Sequence, residues 1–317
     1  MRLRFLALLI ACVAALSAQE MPKELSFGVI STESTVNLKP SWEPLFADLS
    51  AALGIPVKGF FANDYNGIIE GMRFKKVDIA WHGNKSAMLA VDRADGEVFA
   101  RVVNIDGSEG YYSYVIVHKD SPYQTIDELL AKGKEVTFGL GDPNSTSGTL
   151  VPGFYIFAQR GIDPKAHFKR VTNAKHEANI LAVVARQVDA ATCASDAYAR
   201  LGDREPDKIA QTRIVWKSPL IPSDPIVWRK DLPAALKDKI RAFFLNYGNT
   251  EAGKKVLPAL KWSGFRASDN SQLIPIRQLE LAKQKAEIEN DGKMSADEKQ
   301  KALAEIDAKL AALAQQR

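Results

Sequence analysis

The chain has 317 residues, with 42 Lys and Arg against 38 Asp and Glu, 46% hydrophobic and 25% charged residues, and two cysteines. These values exclude a collagen-like or low-complexity chain and a disulfide scaffold, and a formal charge of +4, evenly spread, lacks the basic stripe of a nucleic-acid binder. At roughly 150 residues per domain, the length predicts two domains, each large enough for its own core.

In chain order, the first feature is an export signal. Arg2 and Arg4 precede an apolar run from Phe5 to Leu16, and Leu16-Ser17-Ala18 supplies small residues for cleavage. The run is shorter than the roughly 20 residues that cross a bilayer. Residues 1–18 are therefore read as a signal peptide, with Leu9-Ile10-Ala11-Cys12 as a rival lipoprotein signal lipidated at Cys12. Removal of Cys12 leaves Cys193 alone, expected as a small buried hydrophobe.

Strand-like and helix-like stretches then alternate. Leu25 to Ile30 reads as a buried strand, Pro40 to Leu53 as a helix closed by Gly54, and Ile55 to Phe61 as a strand. After Asp64-Tyr65-Asn66-Gly67 comes a helix through Met72, then a short strand from Val77 to Trp81. This β-α-β-α-β order predicts parallel pairing with helices on both faces. The pattern restarts at Glu135 to Gly139, with a helix from about Ser147 to Gln159 and strands near Phe168 to Val171 and Val188 to Thr192. Two β-rich stretches, Tyr111 to His118 and Leu220 to Trp228, flank this second unit and are read as crossover strands. The predicted fold class is thus α/β, two doubly wound domains joined by a two-strand hinge that lets a cleft close on a ligand. The expected boundaries are 19–115 with 226–276 for a discontinuous first domain, 116–225 for the second, and 277–317 for a C-terminal helical segment.

The main chemical signal is the loop Gly139-Leu-Gly-Asp-Pro-Asn-Ser145-Thr146-Ser147-Gly148, which leads from a strand into a helix. Three consecutive hydroxyls beside unpaired first-turn N–H groups suit an oxyanion. The plainer alternative is that Ser145 or Ser147 only caps the helix. The loop lacks the lysine of a P-loop, and its G-x-G lacks the third glycine of a dinucleotide fingerprint. The four histidines show no metal-ligand spacing, and no nucleophile elbow is present, so an exchangeable anion held by neutral hydroxyls is expected rather than catalysis.

Longer blocks carry a resemblance. Phe27 to Ser34, Gly71 to Phe74, Val77 to Trp81, Gly141 to Gly148, Lys217 to Pro222, Asp224 to Arg229 and Phe265 to Ser268 together resemble the periplasmic phosphonate-binding component of ABC phosphonate importers, a type II periplasmic binding protein. The resemblance implies a receptor, not an enzyme, that needs no cofactor. It would capture an organophosphonate such as 2-aminoethylphosphonate in the periplasm and deliver it to an inner-membrane ABC permease. The same receptor for phosphate, phosphite or another small oxyanion is the alternative. By resemblance, Ser145, Thr146 and Ser147 cradle the phosphonate, Tyr65, Tyr111 and His176 donate to it, and Asp196 and Asp224 face an amino group at the other end. Two departures stand out: Asp196 occupies a position where the family has the longer Glu, and His82 stands for a Tyr that would floor the pocket.

At the C-terminus, Leu279 to Ile288 and Ser295 to Gln316 are charged, Ala-rich and helical, and Ser295 with Glu298 fits a capping box. Leu303, Ile306, Leu310 and Leu313 form an apolar seam. Docking of this seam on its own chain and pairing with a second copy as a homodimer are both open.

Overall fold

The computed structural model describes residues 21–315; the expected signal peptide and Cys12 lie outside the described residues. In chain order the strands are β1 (Leu25–Val29), β2 (Val57–Phe61), β3 (Ile79–Trp81), β4 (Gly96–Asn104), β5 (Gly110–Tyr111), β6 (Ser113–His118) and β7 (Thr137–Leu140). They continue with β8 (Arg170–Asn173), β9 (Ala190–Ala194), β10 (Thr212–Lys217), β11 (Ile221–Pro222), β12 (Pro225–Arg229) and β13 (Trp262–Ala267). One sheet, in the order β13-β4-β12-β3-β1-β2, forms a first lobe. A second, β10-β6-β9-β7-β8, forms a second lobe, and β5 pairs with β11 between them.

Both sheets are mixed. β1 runs parallel to β2 and β3, as the β-α-β-α-β pattern predicts, and β7 runs parallel to β8 and β9. The strands next to the crossovers are antiparallel: β12 to β3 and β4 in the first sheet, β6 to β9 and β10 in the second. The cause is the connection: a strand that enters directly from the other lobe needs no helical crossover to reverse it. The two stretches read as continuous crossover strands are accordingly broken. Tyr112 separates β5 from β6, and Ser223-Asp224 separates β11 from β12, so each stretch gives one strand to the hinge ribbon and one to a sheet.

Helix boundaries differ from the expected ones in two places. The first helix runs Thr35–Leu53 rather than from Pro40, because Ser34 caps it by accepting from the Asn37 N–H, and Pro40 and Pro44 are carried inside. Its end is as expected: Gly54 adopts φ 72°, a left-handed conformation open to glycine, and donates to Ser50. The helix expected from Ser147 is wide-turned. Thr146–Leu150 and Gly153–Phe157 are π-helical, with the Leu150 N–H reaching back to the Ser145 carbonyl. Such turns are rare and concentrate at functional sites.

The first-lobe core is aromatic. Trp42 packs against Phe27, Phe46 and Trp81, and Trp262 meets both Trp42 and Trp81 edge-on at 5.4 and 5.6 Å between centroids. This cluster clamps Trp81 at the end of β3, where the cleft begins. Cys193 is buried on β9, and burial pushes its thiol well up, so it behaves as the expected small hydrophobe. At the C-terminus, Ala296–Ala314 follows Ile274–Asn290, with the Ser295/Glu298 capping box formed. Its seam turns back on that preceding helix: Ile306 is buried, and Lys285 pairs with Asp307. Among the described residues no helix is long and apolar enough to cross a membrane.

Candidate functional site

Strand ends converge on a small cavity between the lobes. All eight residues predicted from the sequence line it: Tyr65, Tyr111, Ser145, Thr146, Ser147, His176, Asp196 and Asp224. The placement follows the rule for open α/β sheets, whose ligands sit beyond the carboxyl ends of strands.

The loop after β7 is shaped by two glycines. Gly141 donates to the Gly148 carbonyl at 2.8 Å, and a Cβ on either would fall within 2.7 Å of the other's Cα. That close approach brings Ser145–Ser147 to the lobe surface. The Ser147 carbonyl accepts from Ser113 Oγ at 2.6 Å and the Gly148 carbonyl from Thr192 Oγ1 at 2.7 Å, so the turn is fixed from below. Gly148→Ala would crowd Gly141, Ser145 Oγ and His176 at once. It is expected to lower the urea midpoint and to weaken phosphonate binding at least tenfold by calorimetry.

Each cradle hydroxyl is arranged as a donor. Ser145 Oγ accepts from the Gly148 N–H at 2.9 Å, so it does cap the helix, yet its own proton stays free. Capping and anion binding are thus compatible. Thr146 Oγ1 accepts from the Lys85 N–H at 2.8 Å, across the cleft. Lys85 is the second residue of the helix Asn84–Arg93, whose own cap Gly83 has no side chain, so Thr146 caps that helix from the other lobe. The Ser147 hydroxyl makes no hydrogen bond among the described residues. The first-turn amides of Thr146 and Ser147 lack intrahelical partners, as at any helix start.

His176 is buried, not solvated. Its Nδ1 accepts from the Ala194 N–H at 3.2 Å, which assigns the proton of the neutral ring to Nε2. Nε2 lies 3.4 Å from both Tyr65 Oη and Ser145 Oγ. Burial, then the nearby Arg200 charge, push the imidazole down to about 4, so the ring is a neutral donor at ordinary pH. Tyr65 and Tyr111 are held protonated, first by burial and then by the charge of Asp224, and they too can only donate to an anion.

Two carboxyls share the cavity with these donors. Burial and then Asp196 push the Asp224 carboxyl well above the usual range, and its Oδ1 has no hydrogen-bond partner. Burial also raises Asp196, whose Oδ1 accepts from Ser195 Oγ at 3.2 Å. The cavity therefore combines a cluster of donors with two raised carboxyls, and Tyr111 stands between Thr146 and Asp224. Among the described residues no group of three or more His, Cys, Asp or Glu is placed to hold a metal ion.

Three wall residues escaped sequence reasoning. Thr32 follows β1 and Trp81 ends β3, and Thr32 Oγ1 and Trp81 Nε1 are buried without partners. Their signal was position, since both sit at carboxyl ends of strands. The third, Arg200, adds a charged group to the cavity wall. It lies one helical turn after Asp196, on the same face of Ser195–Arg204. His82 is a further correction: it does not floor the pocket. Its side chain points into the first-lobe interior, fully buried, with Nδ1 3.1 Å from Ser86 Oγ.

The lobes are closed over this cavity. Besides Lys85 to Thr146, the Tyr65 N–H donates to Asp142 at 3.1 Å, and Glu177 accepts from the Ser34 N–H and Asn37 Nδ2 at 3.0 and 2.6 Å.

Comparison with known proteins agrees with this architecture. A family described as the ABC transporter, phosphonate, periplasmic substrate-binding protein matches residues 27–273. The chain is 54% identical over 293 residues to a phosphonates-binding periplasmic protein of Escherichia coli K12, covering 92% of this chain and 86% of that one. A solved binding-protein component of an ABC phosphonate transporter from Pseudomonas aeruginosa superposes with a TM-score of 0.91 at 52% identity, covering 94% of this chain and 98% of that one. A phosphate-import protein of Mycolicibacterium smegmatis is 28% identical over 249 residues, 74% of this chain and 75% of that one.

Proposed function

Because the chain belongs to the periplasmic substrate-binding proteins of ABC phosphonate transporters, we propose that it captures an aminoalkylphosphonate such as 2-aminoethylphosphonate and carries it to an inner-membrane permease. The observation that supports this reading is the combination of donors and buried carboxyls in one cavity. Hydroxyl, imidazole and amide donors line it together with Asp224, whose Oδ1 lacks a hydrogen-bond partner. A buried carboxyl in that state gains most from a ligand cation, which restores its charge and supplies its missing partner. Phosphate or phosphite would meet the donors and offer Asp224 no cation. Asp196, one methylene shorter than the family's Glu, supports Asp224 from beside it.

Calorimetry with 2-aminoethylphosphonate, methylphosphonate and phosphate tests this order of preference. Asp224→Asn is expected to weaken the amino-bearing ligand by about tenfold or more, the scale of a charged hydrogen bond, and methylphosphonate by less than about threefold. A uniform loss, or phosphate as the tightest ligand, would contradict it. Stoichiometric incubation should return the phosphonate unchanged, as expected of a receptor without a placed nucleophile and base.

The export reading predicts a mature N-terminus at Gln19 and no lipid on Cys12, checked by mass spectrometry of the periplasmic protein. The homodimer is a separate reading, and the seam that would carry it is already packed on Ile274–Asn290. A version ending at Met294 with the same association state as the full chain removes it.

A further inference from the structure

Arg200 carries a guanidinium with five N–H donors in a fixed fork, yet its side chain is only 9% exposed. Burying such a charge is costly unless its donors are met. Among the described residues it makes one hydrogen bond, from Nε to the carboxylate of Glu33. Both terminal amines lack an acceptor, although the residue lines the ligand cavity.

Its one partner comes from the other lobe. Glu33 follows β1 in the first lobe, is 2% exposed, and also binds Arg204 at 2.9 Å. Arg204 continues to Glu177 at 3.0 Å, whose other bonds return to Ser34 and Asn37 in the first lobe. Burial alone would raise the Glu33 carboxyl, but Arg200 and Arg204 outweigh it and hold it below the usual range, so the acid stays charged. The fork is thus anchored across the closed cleft by its inner nitrogen, and the residue lines the cavity with His176, Tyr65, Asp196 and Asp224, all within reach of its charge.

We propose that Arg200 is a ligand contact, donating from its terminal amines to a phosphonate oxygen, and that Glu33 is its positioning residue, which makes the charged contact available only when the lobes close. This rests on the phosphonate-receptor reading. An anion with three oxygens supplies the acceptors the fork lacks. In the open protein Arg200 loses Glu33 and swings free, so ligand and closure strengthen each other.

The test uses methylphosphonate, which has no amino end, and follows affinity by calorimetry and dissociation by stopped flow. Arg200→Gln is expected to weaken methylphosphonate by about 30-fold or more, within the range of a charge-assisted hydrogen bond. Glu33→Gln, which leaves the fork in place but unanchored, is expected to weaken it by about tenfold, mainly through faster dissociation. The double variant should be weaker than Arg200→Gln by no more than the loss of the Glu33–Arg204 bridge, because Glu33 acts on the ligand through Arg200. Arg200→Lys keeps the charge but not the fork and should recover only part of the loss. If Arg200→Gln does not fold, Glu33→Gln and Arg200→Lys carry the same decision.

Methylphosphonate affinity within twofold of the parent in Arg200→Gln, or losses confined to aminoethylphosphonate, would overturn the head-group contact. Additive losses in the double variant would overturn the positioning role of Glu33. A parent chain that binds no phosphonate would instead sink the receptor reading itself.

Discussion

Thr146→Val is expected to weaken 2-aminoethylphosphonate, methylphosphonate and phosphate alike, by about 100-fold, the sum of one charge-assisted and one neutral hydrogen bond. Two roles meet in one oxygen. Thr146 Oγ1 accepts from the Lys85 N–H across the cleft, so its removal leaves the start of Asn84–Arg93 uncapped and loosens the closed state. With its acceptor side occupied, the hydroxyl proton is directed to the cavity, where it donates to the anion. Valine keeps the branched shape and buried volume, so the change isolates the oxygen. Thr146→Ser restores it and should return affinity to within about fivefold, the difference reflecting a freer rotamer. The uniformity of the loss is the discriminating feature, since all three ligands share only the oxyanion. A loss confined to one ligand would show that Thr146 reads something other than that head group.

The cradle was legible because its chemistry is local. Gly141, Gly148 and the three hydroxyls lie within eight positions, and strand, turn and helix start follow one another directly. Tyr65, His176 and Asp224 are scattered along the chain, and their convergence came from the family resemblance rather than from any spacing. Arg200 was illegible for a different reason. An arginine four residues after an aspartate on a helix looks like an ordinary surface pair. Only the fold reveals that Glu33, 167 positions away, reaches the same helix and draws the guanidinium inward. The antiparallel entry of β12 was hidden similarly, because strand direction depends on which lobe the chain returns from, and period-2 patterning is blind to direction. The first helix began earlier than Pro40 because a Ser34 cap and the buried Leu38 and Trp42 outweigh the cost of two internal prolines. His82 was misplaced for want of a phase: alternate residues on a strand end face opposite sides, and Trp81 took the cavity side.

That inward-facing histidine sets the second large effect. His82 and His176 are both buried, and burial pushes them down to about 3 and about 4 from an ordinary value of 6.5. In the unfolded chain both regain that ordinary value. As pH falls below 6.5 the unfolded state therefore takes up two protons that the folded state refuses, and the folded state loses stability until pH approaches 4. The buried acids oppose this. Asp196 and Asp224 are raised, so in the folded state they hold protons above pH 3.8 that the unfolded state releases, which favours folding at acid pH. Each depressed histidine by itself costs the folded state about 2 kcal/mol between pH 7 and pH 4.5. Urea unfolding of the ligand-free parent and of a His82 variant over that range isolates one such contribution. His82→Gln leaves an amide within reach of Ser86 and removes one titrating group, so its midpoint should rise relative to the parent's as pH falls. It should leave phosphonate affinity at pH 7 unchanged, because His82 stands behind the site rather than in it. Equal midpoint changes in parent and variant would mean that the buried imidazole at position 82 already carries its proton in the folded protein.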